Sequence, residues 1–459
     1  MNESWFAMLG VCIMCISLAT AGLAMTAEGD KPAVWSPDVP DLQPITPLDE
    51  SGLASVNGVE YDGLQQAIEA AEPGDVVEVH GTVQERVSVE TENLTIRGIE
   101  QNEQPARLDG GGEETVLEIH AAHVTVEHLQ VTGSGPDRST EDAGILINGS
   151  ETTVDHVRIA DVTFGVWVSG AENVVITNTE ISGDANRDRS ERGNAIHLFD
   201  ADGAEVKNNA MTQVRDGIYY QWSSYVVAEN NKMWDMRYGV HYMYSDHNRL
   251  EGNLAFANDV GFALMVSENL TIVDNRAVDN RHGPSQHGIL IKDIDDSRIR
   301  GNDVVGNGNG LYIYNSHDNE IVDNLVMENH AGITYTAGSS GETIAGNSFI
   351  HNERAAHVTA TAERSTWNDS GVGNYWSDAR TVDLDGDGTS EVRYRPAGTV
   401  EELIDRQPAA AVFSESPAFD TIRLAESSFP VVAERGVVDH HPLTETPHDH
   451  WRNYYEYQH

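Results

Sequence analysis

Gly217-Ile218-Tyr219-Tyr220, Gly239-Val240-His241-Tyr242 and Gly261-Phe262-Ala263-Leu264 are one phrase written three times, 22 residues apart. The leading glycine continues as Gly288, Gly310 and Gly332, so its steps are 22, 22, 27, 22 and 22 residues. A second column, Asn209, Asn231, Asn253, Asn275, Asn302 and Asn324, keeps the same interval and takes the same single step of 27. A period in the twenties carried by short segments is the mark of a solenoid. Alternation inside each phrase sends one set of side chains inward and the next outward. The spacing predicts an all-β fold: a right-handed, single-stranded parallel β-helix whose coils of 22 residues stack about 4.8 Å apart.

One coil cannot bury its own Ile, Val and Leu; its neighbours close the core. The asparagines belong at a turn, where the side chain bonds local backbone and tolerates left-handed angles. In successive coils they can also ladder, amide to amide. The glycines supply a second tight corner. Both columns are therefore structural, and function belongs on the outward positions and the insertions.

Working outward from the repeats, the run from Trp5 to Met25 is apolar and uncharged. It reads as a signal segment or an uncleaved anchor over residues 1–27, though its start lacks Lys or Arg and holds Glu3. Either way the remainder is exported. Cys12 and Cys15, the only cysteines, lie in that run, where small apolar filler is a simpler reading than redox or metal chemistry. Residues 28–55, rich in Pro and Asp, form a linker. Tyr61 to Glu72 reads as a helix with Asp62 as N-cap and Leu64, Ala67, Ile68 and Ala71 on one face, placed to cover the open end of the solenoid. The coils occupy residues 56–365. Residues 366–447 form a capping or partner-docking region, with apolar positions at helical spacing from Pro408 to Val432. Residues 448–459 are a tail holding His448, His450 and His459 among aromatics, read as an unformed tract that gathers divalent ions weakly.

The formal charge is −46, from 74 acids against 28 bases, and it is spread along the chain. Lysine occurs only at Lys31, Lys207, Lys232 and Lys292. Such self-repulsion destabilises a fold at ordinary ionic strength, whereas molar salt shortens the Debye length to about 3 Å and screens it. This composition predicts a halophile, archaeal in type, and argues against nucleic acid as a partner. Sequons at Asn93, Asn148, Asn269 and Asn368 fit an exported surface.

Two insertions break the rhythm: Gly183 to Gly193, carrying Arg187, Arg189 and Arg192, and the run Arg281 to His287. Both precede the same strand of the coil, four coils or roughly 19 Å apart. Between them one wall presents His197, Tyr219, His241 and Ala263 two positions after each glycine equivalent. Four positions after it come Phe199, Gln221, Met243 and Met265. An exposed patch this rich in aromatics, His and Met marks a contact surface. Met243 and Met265 share a column in adjacent coils, and His241 shares Met243's strand and face. One imidazole with two thioethers is a soft set suited to Cu(I); the alternative is that the methionines pack beneath another segment. His197 lies two coils from His241, with Tyr219 between. Beyond the coils, Asp383, Asp385 and Asp387 open a D-x-D-x-D-G loop of the calcium type. Its twelfth position is Tyr394 instead of Glu, so a plain Asx-rich turn competes with bound calcium.

Gly193-Asn194-Ala195-Ile196-His197, Asp216-Gly217-Ile218-Tyr219, Arg237-Tyr238-Gly239-Val240-His241-Tyr242-Met243-Tyr244-Ser245 and Ala263-Leu264-Met265 follow one another along the wall. Tyr312-Ile313-Tyr314-Asn315-Ser316, Gly373-Asn374-Tyr375-Trp376-Ser377-Asp378 and Gly436-Val437-Val438-Asp439 come after them. In this order they resemble the NosD family, extracytoplasmic β-helical accessory proteins of nitrous oxide reductase maturation. The resemblance covers residues 55 to 445. It implies a protein that is not an enzyme and that assists copper or sulfur delivery to the reductase's multicopper cluster. The implied partners are nitrous oxide reductase, an ABC-type ATPase with its membrane subunit, and a copper chaperone. It favours copper at His241, Met243 and Met265, with His197 as an outlying ligand. The aromatics Tyr219, Tyr242, Tyr312, Tyr314 and Trp376 are the expected partner surface.

The rival class on the same fold is a carbohydrate-active enzyme: a polysaccharide lyase, hydrolase or epimerase. It would need a carboxylate pair, or a base beside charge-neutralising groups, on one wall. Lys292, Asp293, Asp295, Asp296, Arg298 and Arg300 are its candidates, although alternation turns Lys292 and Asp293 opposite ways. A non-catalytic glycan-binding surface protein is the third class.

Overall fold

The computed structural model describes residues 37–42, 45, 52–100, 105–184, 186–336, 338–359, 365–398, 400, 403, 407–413, 416–428 and 437–456. The apolar run over residues 1–27, most of the linker, Phe429, Val432 and His459 lie outside them. The chain forms two compact units. One comprises residues 37–396 and 435–448, the other residues 1–36, 397–434 and 449–459.

The larger unit is a parallel β-helix. Three sheets of 14, 13 and 12 strands run its length, and each strand pairs with the strand one coil away. A coil visits them in turn: Glu205–Lys207 in the first sheet, Ala210–Thr212 in the second and Asp216–Gln221 in the third. The third sheet is the wall. Pairing runs in strict register, for example Ile196↔Ile218↔Val240↔Phe262↔Ile289↔Leu311↔Ile333 along its inner face. Those side chains are buried and belong to one continuous core.

The asparagines ladder at the corner between the first and second sheets. Asn209 Nδ2 donates to Asn231 Oδ1 at 3.0 Å and Asn231 Nδ2 to Asn253 Oδ1 at 2.9 Å. The chain of bonds continues through Asn275, Asn302, Asn324 and Asn347 to Asn374. Each amide also donates to a backbone carbonyl, as Asn253 does to Ala228 O at 2.9 Å. A second ladder runs through Asn280, Asn307, Asn329 and Asn352 at the next corner. The glycine corner is a steric requirement: a Cβ on Gly239 would stand 2.6 Å from Gly261 O on the next coil.

The ends differ from the expectation. Leu53–Val56 and Val59–Tyr61 form a hairpin antiparallel to the first coil strand, turned at Asn57 and Gly58, both at positive φ. Ordered structure therefore begins inside the stretch assigned to the linker. The helix expected over Tyr61 to Glu72 spans Leu64–Ala70, which we term α1, and buries Leu64, Ala67 and Ile68. Its N-cap is Gly63 and not Asp62; the carboxylate that meets its first turn comes from Glu85, which accepts Gln65 N–H at 2.8 Å. At the far end, Trp376 Nε1 and Asn374 N both donate to Asp439 Oδ2, at 2.9 and 2.8 Å, and Phe349 stacks on Trp376 with centroids 4.2 Å apart. Trp376 is 1% exposed. It closes the core and is no partner surface, because its ring fills the space where the next coil would sit. In the smaller unit, Pro408–Phe413 is a 3₁₀ turn and Pro417–Ser428 a helix, with Val412 and Ile422 exposed.

Candidate functional site

The outer face of the wall carries a column in register: Trp167↔His197↔Tyr219↔His241↔Ala263↔Leu290↔Tyr312↔Thr334. Its rings touch in series. Trp167 and His197 lie 3.8 Å apart by centroids, His197 and Tyr219 4.6 Å, and Tyr219 and His241 4.6 Å. A neighbouring column runs Phe199↔Gln221↔Met243 and, farther on, Met265↔Lys292↔Tyr314. His241 is followed at two residues by Met243 on the same strand, and Met243 and Met265 are both half-buried.

A third outward column was not anticipated. By simple alternation the residue immediately before the glycine would share the parity of the inward residue after it. The glycine corner reverses the face. Asp216 pairs in register with Tyr238, Tyr238 with Val260 and Val260 with His287. Val260, Ala263 and Leu290 form an apolar cluster outside the main core, with Tyr238, Met265 and Tyr312 packed against it.

Asp216 organises the centre of the wall. Arg237, on the next coil, donates to it from both Nε (2.8 Å) and Nη2 (2.5 Å), and His241 Nδ1 lies 3.2 Å from Oδ2. Asp216 is 1% exposed. Burial alone would raise its pKa, but the bonds and charges of His241 and Arg237 outweigh burial and hold the carboxyl at about 2. An ionised carboxylate has no proton to give, so the bond to His241 requires the hydrogen on Nδ1 and leaves the Nε2 lone pair for a ligand. Tyr238 meets the His241 ring edge-on at 5.0 Å.

His197 is separate from this centre. Asn194 Nδ2 stands 3.3 Å from its Nδ1. Burial drives its pKa down to about 3 against the opposing pull of Gln221 and Asp216. It is a neutral ring packed between Trp167 and Tyr219. His287, at the end of the second insertion, is likewise pushed down by burial to about 4, stacks on Tyr312 at 4.5 Å and meets Asn309 Nδ2 at 3.2 Å.

Of the expected partner surface, Tyr219 and Tyr312 are half-buried in the wall and Tyr314 is exposed. Tyr242 is not on it. Its ring is fully buried and stacks on Tyr220 at 4.2 Å inside the coil, because it shares the inward parity of Val240. Both insertions lead into the wall as expected. The second is pinned by Asp259 Oδ1, which accepts Ser285 N–H and Gln286 N–H at 2.7 and 3.0 Å.

The rival carboxylates are engaged: Asp293 Oδ1 accepts Asn315 Nδ2 at 2.6 Å, and Asp295 Oδ1 accepts His317 N–H at 2.9 Å. In the Asp-rich loop, Asp383 and Asp385 converge with Glu391, all exposed. Asp387 turns instead to Thr389 N–H and Oγ1, at 2.8 and 2.7 Å. His448, expected in a free tail, meets Ser348 Oγ through Nδ1 at 2.7 Å and Asp323 O through Nε2 at 2.9 Å, so neither nitrogen is available for an ion.

Fold and wall define a class: a parallel β-helix whose one differentiated face carries imidazole, thioether and aromatic groups around a buried carboxylate. The model of a family described as "Periplasmic copper-binding protein (NosD)" matches residues 177–381, the stretch that holds this face. A protein of Pseudomonas aeruginosa named "Probable ABC transporter binding protein NosD" is 35% identical over 358 residues, 74% of this chain and 82% of that one. Its namesake from Stutzerimonas stutzeri is 34% identical over 355 residues, 74% and 81%. The chain belongs to the NosD family. Among solved structures, a mannuronan C-5 epimerase module of Azotobacter vinelandii aligns with a TM-score of 0.51 at 14% identity, over 68% of this chain and 94% of that one. At that identity the likeness is one of fold alone. No helix among the described residues is long and apolar enough to cross a membrane.

Proposed function

We propose that this protein is an extracytoplasmic accessory factor that carries copper for the maturation of nitrous oxide reductase, working with an ABC-type ATPase and its membrane subunit and performing no catalysis of its own. The family description and the relatives' names support copper and an ABC system. The observation that carries the reading is the contact of Asp216 with His241. It supplies one oriented imidazole nitrogen, and in this reading Met243, two residues along the same strand, and Met265, on the next coil, supply the thioethers.

Copper is cargo here. Cu(I) prefers soft ligands and tolerates low coordination, which suits one Nε2 and two sulfurs without a thiolate. Asp216, accepting from Nδ1–H, fixes the ring and raises the basicity of Nε2. Arg237 keeps the carboxylate charged. Tyr219 and Tyr238 confine the imidazole from two sides. The half-buried sulfurs leave the cargo reachable by a partner, such as a copper chaperone or the reductase, seated between the two insertions. His197, two coils away, serves packing in this scheme. The Asp383, Asp385 and Glu391 cluster is the place for calcium if the chain takes it. The acid excess suits molar salt.

The test is Cu(I) competition against a chromogenic chelator in molar KCl. The full chain is compared with His241→Ala and with the Met243→Ala, Met265→Ala double variant. The histidines of the C-terminal tail are common to all three and cancel. We expect affinity to fall about 10-fold or more in each variant. Equal affinity in all three would remove the wall as the copper site.

A further inference from the structure

The corner between the first and second sheets, which does not border the wall, places one left-handed residue in each coil from His128 onward. In most coils it is a small polar residue or glycine: Asn178, Asn208, Asn230, Gly252 and Asp274 hold φ between 50° and 65°. Two consecutive coils put histidine there instead, His128 at φ 56° and His156 at φ 51°. They stand one coil apart, since Glu127 pairs in register with Asp155 and His128 N donates to Asp155 O at 3.2 Å. Both lie outside residues 177–381, the stretch that the family model matches.

The two rings lie with centroids 5.1 Å apart and planes inclined at 33°, and both side chains are exposed. His156 Nδ1 is 2.8 Å from Asp155 Oδ1, and the same oxygen accepts Asn178 Nδ2 at 2.9 Å. Burial would raise the Asp155 pKa, but the bonds from Asn178 and His156 outweigh it and hold the carboxyl below its ordinary value. An ionised carboxylate can only accept, so the hydrogen sits on Nδ1 and Nε2 of His156 keeps its lone pair. His128 makes no side-chain hydrogen bond among the described residues, so its ring nitrogens are uncommitted. With metal–nitrogen bonds of about 2.0–2.1 Å at a tetrahedral angle, two imidazoles on one ion have centroids about 5 Å apart. The observed spacing is of that size. A carboxylate behind one imidazole is also the arrangement that orients metal-bound histidines. Turn geometry explains a residue that tolerates left-handed angles at each position. It does not explain two adjacent imidazoles, one of them anchored.

We propose that His128 and His156 clamp one divalent transition-metal ion across two coils, through Nε2 of His156 and one ring nitrogen of His128. Asp155 is the positioning residue, accepting from Nδ1–H of His156. The ligand class is the borderline divalent ion that imidazole favours, with Zn(II) as the probe and water completing the shell. No thioether stands on this corner, so its chemistry differs from that of the wall, where two sulfurs suit Cu(I). The ion staples neighbouring coils from outside. The proposal stands whether or not the wall carries copper.

The test titrates the full chain with zinc chloride in molar KCl against a chromogenic zinc chelator, and follows the imidazole nitrogen NMR resonances in parallel. The variants are His128→Asn and His156→Asn, singly and together. Asn serves the same corner at Asn178 and Asn208, so the turn is retained and a folded variant is in hand. We expect the double variant to bind one zinc ion fewer per chain, and each single variant to hold that ion at least about 10-fold more weakly. In the unaltered chain the resonances of both rings should move at the same zinc concentration. Asp155→Asn should weaken the ion about 10-fold and, before zinc is added, turn His156 from one tautomer to a mixture, which a merely structural carboxylate would not cause. If the double variant binds as many ions as tightly, or if either single variant loses nothing, the proposal fails. Cu(I) competition on the same variants should not change, which separates failure of this site from failure of the copper reading.

Discussion

Asp216 Oδ2 and His241 Nδ1 lie 3.2 Å apart on adjacent coils, one residue before a corner glycine and the other two residues after the next. The relationship joins fold to chemistry. Stacking alone sets the distance, because the register Asp216↔Tyr238 and Tyr219↔His241 is held along the whole strand. The glycine corner then turns the carboxylate to the face where the imidazole stands. A side chain placed by a sheet is held more firmly than one placed by a loop, and Asp216, Tyr219, His241, Met243 and Met265 all stand on strands, with Arg237 one residue before its own.

Asp216→Asn should therefore weaken copper binding without removing any ligand atom. The amide can present either group to His241, so the tautomer is no longer fixed, and affinity for Cu(I) should fall about 10–100-fold. The same change leaves Arg237 without its counter-charge. A fully buried pair would lose about 3–5 kcal/mol on such a change, but the Arg237 side chain is 26% exposed, so we expect a loss of about 2 kcal/mol. Chelator competition and chemical denaturation, run on the same preparation, read the two effects separately. Unchanged affinity in a destabilised variant would make Asp216 structural only.

Acid should act through His197 and His287. Burial lowers them to about 3 and about 4 in the folded chain, whereas an unfolded imidazole titrates near 6.5. Between those values the unfolded chain binds protons that the folded chain does not. Stability is then complete above about pH 6.5 and falls as pH drops toward 4, with a slope of up to about 1.4 kcal/mol per pH unit for each ring. Asp216 is shifted the same way, downward, but by pairing instead of burial, and its window lies lower. Its contribution persists above an unfolded carboxylate value of about 3.9 and is lost only as pH falls toward its folded value of about 2. Denaturation at pH 7.5, 6 and 5 should show the decline, and His197→Phe with His287→Phe should flatten it. An unaltered slope in the double variant would assign acid sensitivity elsewhere.

The division between what the sequence tells and what it hides follows the periodicity. Gly217, Gly239 and Gly261 report the coil and Asn231, Asn253 and Asn275 its ladder, because backbone closure demands those residues at fixed intervals. The column of His197, Tyr219 and His241 follows from alternation. The column of Asp216, Tyr238 and His287 does not, because the corner interrupts alternation at Gly217 and its equivalents. Tyr242 was legible by the same alternation, since it shares the inward parity of Val240, yet was set on the partner surface. Trp376 lies past the last coil, where no period remains to say which way a ring faces.

Bulky residues hold left-handed angles on the corner that follows the wall: Trp222 (φ 52°), Tyr225 (φ 60°) and Tyr244 (φ 54°). All three are at least half exposed, so burial does not compensate the strain of that conformation. Tyr225, stacked only on His247 at 5.2 Å, is the cleanest test. Tyr225→Asn should stabilise the fold by about 0.5–1 kcal/mol, since Asn accepts left-handed angles readily. Thermal unfolding decides it. A drop in Tm would mean that the ring stack outweighs the backbone strain, and that these aromatics are held for stability and not for a partner.

The asparagine ladder gives the sharpest stability prediction, because each rung is shared. Asn253 donates from Nδ2 to Ala228 O and Asn275 Oδ1, and its own Oδ1 accepts from Asn231 N and Asn231 Nδ2. All of these bonds are buried, and Asn253 is 0% exposed. Asn253→Ala removes one side chain and strands partners on both neighbouring coils, at about 1–3 kcal/mol for each buried group left unpaired. With three such groups (Ala228 O, Asn231 N and Asn231 Nδ2) and some relief from entering water, we expect a loss of about 4 kcal/mol. Asn253→Asp should be nearly as harmful, because the carboxylate keeps the acceptors but cannot donate, and its charge is buried. An Asn at the solvent-facing start of a turn would cost far less, so Asn57→Ala, whose amide bonds the exposed Asp75 at 2.9 Å, serves as the control. Denaturant midpoints at fixed salt give the comparison. Equal losses at positions 57 and 253 would show that the ladder is a by-product of turn geometry and contributes nothing by its continuity.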